Sequence, residues 1–282
     1  LWLVTSQPVT FNSHLERDNQ TIDHQLNQHQ VIIGEHAYTY LLQLDLKSPL
    51  QPGNIISYSL NHKTNDDNHQ LTDLCPELLY PGERLPTLCF QPHLASILHG
   101  SCRKPHHPGV DALTIADKRL GKMSVDQRPT LLIMSGDQIY ADDVAGPMLQ
   151  AIHQTIDFLG LPDESLPGEA INQASELYSH PNCYYAREQL LPDDKPANDA
   201  IQRIFKGVRK PVFTSDSAQN HLITFSEIFS MYLLVWSPAL WQYISLEPCE
   251  QIPADKRERF SQERGEIETF ASELGRVQRL LA

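Results

Sequence analysis

Apolar and polar side chains alternate through Tyr38-Thr39-Tyr40-Leu41-Leu42-Gln43-Leu44-Asp45-Leu46, with positions 40, 42, 44 and 46 on one side. A period of two predicts a half-buried strand. Rougher alternation of β-branched and aromatic residues predicts strands over Leu1–Thr5, Val31–Ile33 and Asn54–Asn61 as well. Turn formers separate these runs: Ser48-Pro49 with Gln51-Pro52-Gly53, and Asn65-Asp66-Asp67-Asn68. Short strands so spaced predict a small N-terminal β-sandwich over residues 1–92, closed by a Pro-containing stretch from Cys75 to Pro92.

From residue 93 to 282 the texture changes. Ala95–Leu98 reads as a short strand running into Gly100-Ser101-Cys102-Arg103. Val110, Leu113, Ala116 and Leu120 have helical spacing, and Thr130–Ser135 is a continuous apolar run ending in Gly136-Asp137. A helix is predicted over Val144–Leu159, with Pro147 tolerated in its first turn. Fully apolar strands alternating with helices predict a sheet covered on both faces. Residues 161–210 are polar, Pro-rich and carry no readable period. Asn220–Trp236 reads as a buried helix. Pro253–Ala282 reads as one long charged helix docked on its own domain through Phe260, Ile267, Phe270, Leu274, Val277 and Leu281. The fold class expected is α+β.

Charge narrows the function. Lys and Arg total 22 against 35 Asp and Glu, a net charge of −13, which argues against general nucleic-acid binding and against anionic membranes. A local cationic pocket stays open. The most apolar stretch, Ile223–Trp236, is interrupted by Thr224, Ser226, Glu227 and Ser230 and falls short of the roughly 18 apolar residues of a membrane helix. Five scattered cysteines do not form a disulfide framework and fit a reducing compartment. No secretory signal is readable, so a cytoplasmic location is expected, although an opening Leu1 without Met is not a natural start.

Open α/β sheets gather functional groups at the carboxyl ends of their strands. Two such ends are readable, Gly100-Ser101-Cys102-Arg103 and Gly136-Asp137-Gln138-Ile139-Tyr140-Ala141-Asp142-Asp143. Asp137 offers a hard carboxylate able to bridge two cations, Tyr140 a phenolate and Cys102 a soft thiolate. That combination suits ferric iron better than magnesium. Each residue also has an ordinary structural reading: Cys102 as packing, Asp137 as a turn former, Tyr140 as a core or rim aromatic, and Asp142 and Asp143 as caps of the next helix. The functional reading rests on their joint occurrence. Arg103 offers a phosphate contact or is simply solvated, and His221 at a helix start offers a cap or a substrate contact. His106-His107 reads as a loop pair, and His99 as a core residue or a support behind the ligands.

With these residues in view the chain resembles the alkaline phosphatase D (PhoD-like) branch of the metallophosphoesterases. Further likeness lies in Leu1–Thr10, Gly34-Glu35-His36, Asn220–Thr224 and Met231–Ser237. The resemblance implies a calcineurin-like α/β/β/α sandwich after the β domain, hydrolysing phosphomonoesters or phosphodiesters at a multinuclear metal site. It implies iron held by Cys102, Asp137 and Tyr140, with Asp137 also reaching calcium or another divalent ion and acting as the catalytic carboxylate. In outline one ion activates the nucleophile and both stabilise phosphoryl charge. Arg103 and His221 are the substrate contacts that go with it. The chain departs from the family in lacking Asp-Asp-His, Gly-Asn-His and Gly-His-x-His motifs. The expectation is therefore an incomplete site that binds metal weakly and is close to inactive. A non-catalytic binding or scaffold module of the same fold is the alternative. A cysteine phosphatase using Cys102 is disfavoured, because a Cys-x5-Arg loop would need Arg where Pro108 stands.

Overall fold

Alternation becomes antiparallel pairing in the computed structural model, which describes residues 1–63, 68–166, 171–190 and 218–281. The strands in chain order are β1 (Trp2–Thr5), β2 (Thr10–Arg17), β3 (Gln20–Thr21), β4 (His24–Gly34), β5 (Ala37–Leu46), β6 (Ile55–Lys63), β7 (Asn68–Gln70) and β8 (Thr87–Cys89). One sheet has the order β1-β5-β4; the other runs β3-β2-β6-β7, with β8 also on β6. Asp18 and Asn19, both at positive φ, make the tight turn between β2 and β3, a conformation these short polar side chains tolerate. Tyr40 and Leu42 from the first sheet share a core with Phe11 and Leu60 from the second, and the Phe11 and Tyr40 rings meet edge to face at 5.0 Å.

Burial on β5 fades along the predicted apolar side, since Leu44 is exposed and Leu46 only half-buried. β2 and the first half of β4 carry no strong sequence signal. In Thr10–Arg17 only Phe11 and Leu15 are apolar and both are buried, so β2 is fixed by its long register with β6 (Thr10↔Lys63 to Glu16↔Ser57) rather than by composition. The cluster at residues 65–67, and Ala282, lie outside the described residues, as do 167–170 and 191–210 of the Pro-rich region.

Two parallel strands follow, β9 (Ile97–Gly100) and β10 (Leu131–Met134). The helices are α1 (Leu71–Leu74), α2 (Ala112–Leu120), α3 (Gly146–Leu159), α4 (Ala174–Ser179), α5 (Phe225–Trp236), α6 (Arg257–Ser272) and α7 (Leu274–Leu281). The mixture of helices and sheets is α+β. Two compact units divide the chain: Leu1–Cys102 with Gly109–Gln138 and Glu273–Ala282, and Arg103–Pro108 with Ile139–Ser272. No helix among the described residues is long and apolar enough to cross a membrane.

Several expectations change. The helix expected from Asn220 begins at Phe225, because Thr224 and Glu227 form a capping box: Thr224 Oγ1 accepts from Glu227 N at 3.0 Å and Glu227 Oε2 accepts from Thr224 N at 3.2 Å. The long C-terminal helix is broken at Glu273. Phe260, Ile267 and Phe270 of α6 bury in the second unit, while Leu274 and Val277 of α7 bury in the first and Leu281 is exposed. α3 begins at Gly146 with Pro147 in its first turn, and neither Asp142 nor Asp143 caps it. Its Gly146 N–H instead donates to the buried Glu263 carboxylate at 2.8 Å.

The second unit is organised around buried charge. Arg187 and Glu227 are completely buried and pair at 2.7 Å. Arg187 also donates to the carbonyls of Cys183 and His221, at 2.8 and 2.9 Å. Glu227 accepts from Ile223 N at 2.7 Å and lies 3.1 Å from His153 Nε2. The Arg187 guanidinium and the His153 ring hold the Glu227 carboxyl well below the usual range against its burial. The single carboxylate thus ties the start of α5 to α3 and to the 183–187 turn.

Candidate functional site

Parallel pairing sets the site's frame. β9 and β10 run in register from Ile97↔Leu131 to Gly100↔Met134, and Ser135 N donates to the Gly100 carbonyl at 3.1 Å, carrying the pairing one step further. Their carboxyl ends therefore deliver Ser101-Cys102 and Gly136-Asp137 side by side. Gly136 shows how close they come. A Cβ at that position would stand 2.5 Å from Cys102 Sγ, 2.5 Å from Ser101 Oγ and 2.7 Å from Cys102 N. Only glycine lets the two backbones approach so closely.

Cys102 and Asp137 are both exposed at these ends. Among the described residues no hydrogen bond or ion pair occupies the Asp137 carboxylate. Ser101 Oγ lies 3.6 Å from Cys102 Sγ. Behind them His99 Nε2 lies 2.8 Å from Ser135 Oγ. His99 is exposed rather than a core residue, because every second side chain of this pair faces outward. Ile97, Leu131 and Ile133 are exposed on that side too. The described residues supply no layer there, in contrast to the two-sided cover that an apolar strand run predicts.

The remaining predicted residues belong to the second unit. Arg103 is buried, not solvated. Its guanidinium donates to the Val235 carbonyl and lies 4.7 Å from both the Trp236 and the Phe270 ring centroids. Stacking on two rings and a backbone bond give it a structural occupation. Tyr140 is half-buried, with Lys104 Nζ 5.9 Å from its ring centroid. Lys104 pairs with Asp143, and His106 Nε2 lies 3.4 Å from the same carboxylate. The hydrogen bond from His106, with Lys104 behind it, pulls the Asp143 carboxyl down to about 2. The His106-His107 pair does lie in irregular chain, but His106 has a specific partner that adjacency alone did not suggest. His221 is buried ahead of α5, with Nδ1 2.5 Å from the Leu222 carbonyl, and Thr224 holds the capping position.

A thiol and a free carboxylate on adjoining strand ends are a soft and a hard donor, the mixture that favours a transition ion. Among the described residues no group of three or more His, Cys, Asp and Glu side chains is arranged to hold a metal, so Cys102 and Asp137 fit part of such a site. None of the five cysteines is in a disulfide. Burial pushes the Cys75 and Cys183 thiols up, whereas Cys102 is the exposed one. Comparison with protein-family models, curated proteins and solved structures finds no match to this chain.

Proposed function

We propose that this chain carries part of a metal-dependent phosphoesterase of the alkaline phosphatase D kind, acting on a small phosphomonoester or phosphodiester. In this reading residues 1–92 are a β-sandwich and residues 93–282 are the first portion of an α/β/β/α catalytic domain. The observation that supports it most is the approach of Gly136 to Cys102, which brings the strand end that carries the thiol against the strand end that carries the exposed Asp137. Cys102 and Asp137, with Tyr140 added by the resemblance, would hold iron, and Asp137 would reach calcium or another divalent ion. Bound metal would supply Lewis acidity toward a phosphoryl oxygen. The chain's own part is to hold Cys102 and Asp137 at fixed strand ends. Arg103, spent on Val235 and two rings, supports a positioning part rather than direct substrate contact. The outward Ile97, Leu131 and Ile133 side chains are what a catalytic sheet lacking further cover would leave open. Five cysteines outside any disulfide support a reducing compartment such as the cytoplasm.

A second reading, a non-catalytic binding or scaffold module, is favoured by the lack of a third His, Cys, Asp or Glu near the pair among the described residues. Hydrolysis of p-nitrophenyl phosphate and its bis-ester, with iron and calcium supplied, separates the two. Chelator-sensitive turnover that falls at least a hundredfold in Asp137→Asn supports the esterase. Metal binding without turnover supports an incomplete esterase. Neither binding nor turnover leaves the scaffold reading in its place.

A further inference from the structure

A second candidate site lies in the first unit, remote in sequence from the strand-end motifs. A cleft of about 400 Å³ is lined by Tyr80, Asp117, Lys118, Lys122, Arg276 and Arg279, with Pro81 and Gly121 completing the wall. That volume lies within the range of small-ligand sites, roughly 300–1,000 Å³. Its construction is specific. Asp117, almost fully buried, receives Arg279 Nε at 2.8 Å, Arg279 Nη2 at 2.6 Å and Arg276 Nε at 3.3 Å. Arg276 Nη2 also donates to the Thr114 carbonyl at 2.6 Å. Both guanidiniums are thereby held against α2 by a carboxylate whose own charge they neutralise.

The same cleft is lined by Lys118, in the last turn of α2, and by Lys122, four residues on. Both are exposed, and among the described residues neither ammonium makes an ion pair. The Tyr80 ring packs against Gly121, where a Cβ would come within 2.9 Å of it. The Arg279 guanidinium lies 4.7 Å from the ring centroid. The cleft thus combines an aromatic wall with four cations, faced by Asp117 and by Glu273, which lies 3.7 Å from Arg276. In a chain of net charge −13, four cations against two carboxylates give this cleft a local positive excess that draws anions.

We infer that this cleft binds a multiply charged phosphate group carried by a small soluble molecule. Arg supplies planar donors held in place and Lys supplies mobile point charges, the two ways side chains meet phosphate oxygens. Pro81, exposed beside the buried Tyr80, offers an apolar surface to the rest of the ligand. The site stands independently of the phosphoesterase reading, since it shares no residue with Cys102, Asp137 or Tyr140.

The test is isothermal titration calorimetry of the whole chain with sodium pyrophosphate, at low and at raised sodium chloride. Binding at one site is expected, weakened at least tenfold in a Lys118→Ala/Lys122→Ala double variant and several-fold by the added salt. The thermal unfolding of that variant should match the parent, because neither lysine holds an ion pair among the described residues. Lys47→Ala, on a lysine engaged with Asp23, serves as the control for diffuse charge and should bind like the parent. No heat, equal affinity in the double variant, or an equal loss in the control would overturn the proposal. So would binding only to vesicles containing phosphatidylinositol phosphate, since the source would then be a lipid headgroup.

Discussion

Replacing Gly136 by Ala adds one methyl group where the β9 and β10 ends meet. The new Cβ would stand 2.5 Å from both Cys102 Sγ and Ser101 Oγ and 2.7 Å from Cys102 N. Comfortable contact needs roughly 3.5–4.0 Å, so the shortfall is about 1 Å. Rotation about χ1 can move the sulfur and the hydroxyl oxygen. The backbone nitrogen of Cys102 has no such freedom, so the 101–102 segment itself must retreat. Overpacking of this kind costs about 1–3 kcal/mol, a sizeable part of a total stability of roughly 5–15 kcal/mol. Urea unfolding reads the cost, and peptide-resolved alkylation of Cys102 reads the displacement. Gly265→Ala is the internal control: a Cβ there meets nothing within 4 Å, and in mid-helix it should stabilise by about 0.5–1 kcal/mol. A Gly136→Ala protein as stable as the parent, with an unchanged Cys102 alkylation rate, would show that the two strand ends are not in contact and would refute the argument for the site.

Glu227→Gln should cost about 3–5 kcal/mol by urea unfolding, because it strands the buried Arg187 charge; adding Arg187→Met should recover part of that loss, and strictly additive losses would contradict the pairing. Asp143→Asn should cost on the order of 1 kcal/mol at pH 7, discounted for the partial exposure of the cluster. The folded carboxyl of Asp143 is depressed to about 2 against about 3.9 unfolded. Its contribution is therefore present above pH 4 and lost as pH falls toward 2, where the parent and variant unfolding midpoints should converge; a gap unchanged at pH 2 would count against the ion pair. Thr224→Ala removes the side-chain cap of α5 and should lower stability by about 1 kcal/mol, read by thermal unfolding, with no change as the contrary result.

Legibility in the sequence followed how local each determinant is. β5 and β10 were readable because alternation and a continuous apolar run are properties of a few consecutive residues. β2 was not, because Thr10–Arg17 owes its conformation to β6, more than forty positions away. The start of α5 was legible in principle: Thr224-Phe225-Ser226-Glu227 is a capping-box pattern, and a start at Asn220 passes over it. The break at Glu273 was not legible, because a continuous helical seam does not say that its two halves bury in different units. At the candidate site both strand ends were legible, whereas the close approach that Gly136 makes to Cys102 depends on the pairing of two strands and is not visible in either segment alone. The burial of Arg103 was invisible, since its partners Val235, Trp236 and Phe270 lie far along the chain. The Asp117 cleft escaped for the same reason, its cations coming from α2 and from α7, some 160 residues apart by the Arg279–Asp117 bond.

Under the proposed function Cys102 and Asp137 would hold a transition metal together. Elemental analysis of the purified chain after exposure to iron and desalting tests it most directly, beside Cys102→Ala and Asp137→Asn prepared in parallel. Bound iron, at most one equivalent per chain, is expected in the parent and its loss in both variants. No iron in the parent, or iron retained when either donor is removed, would contradict it.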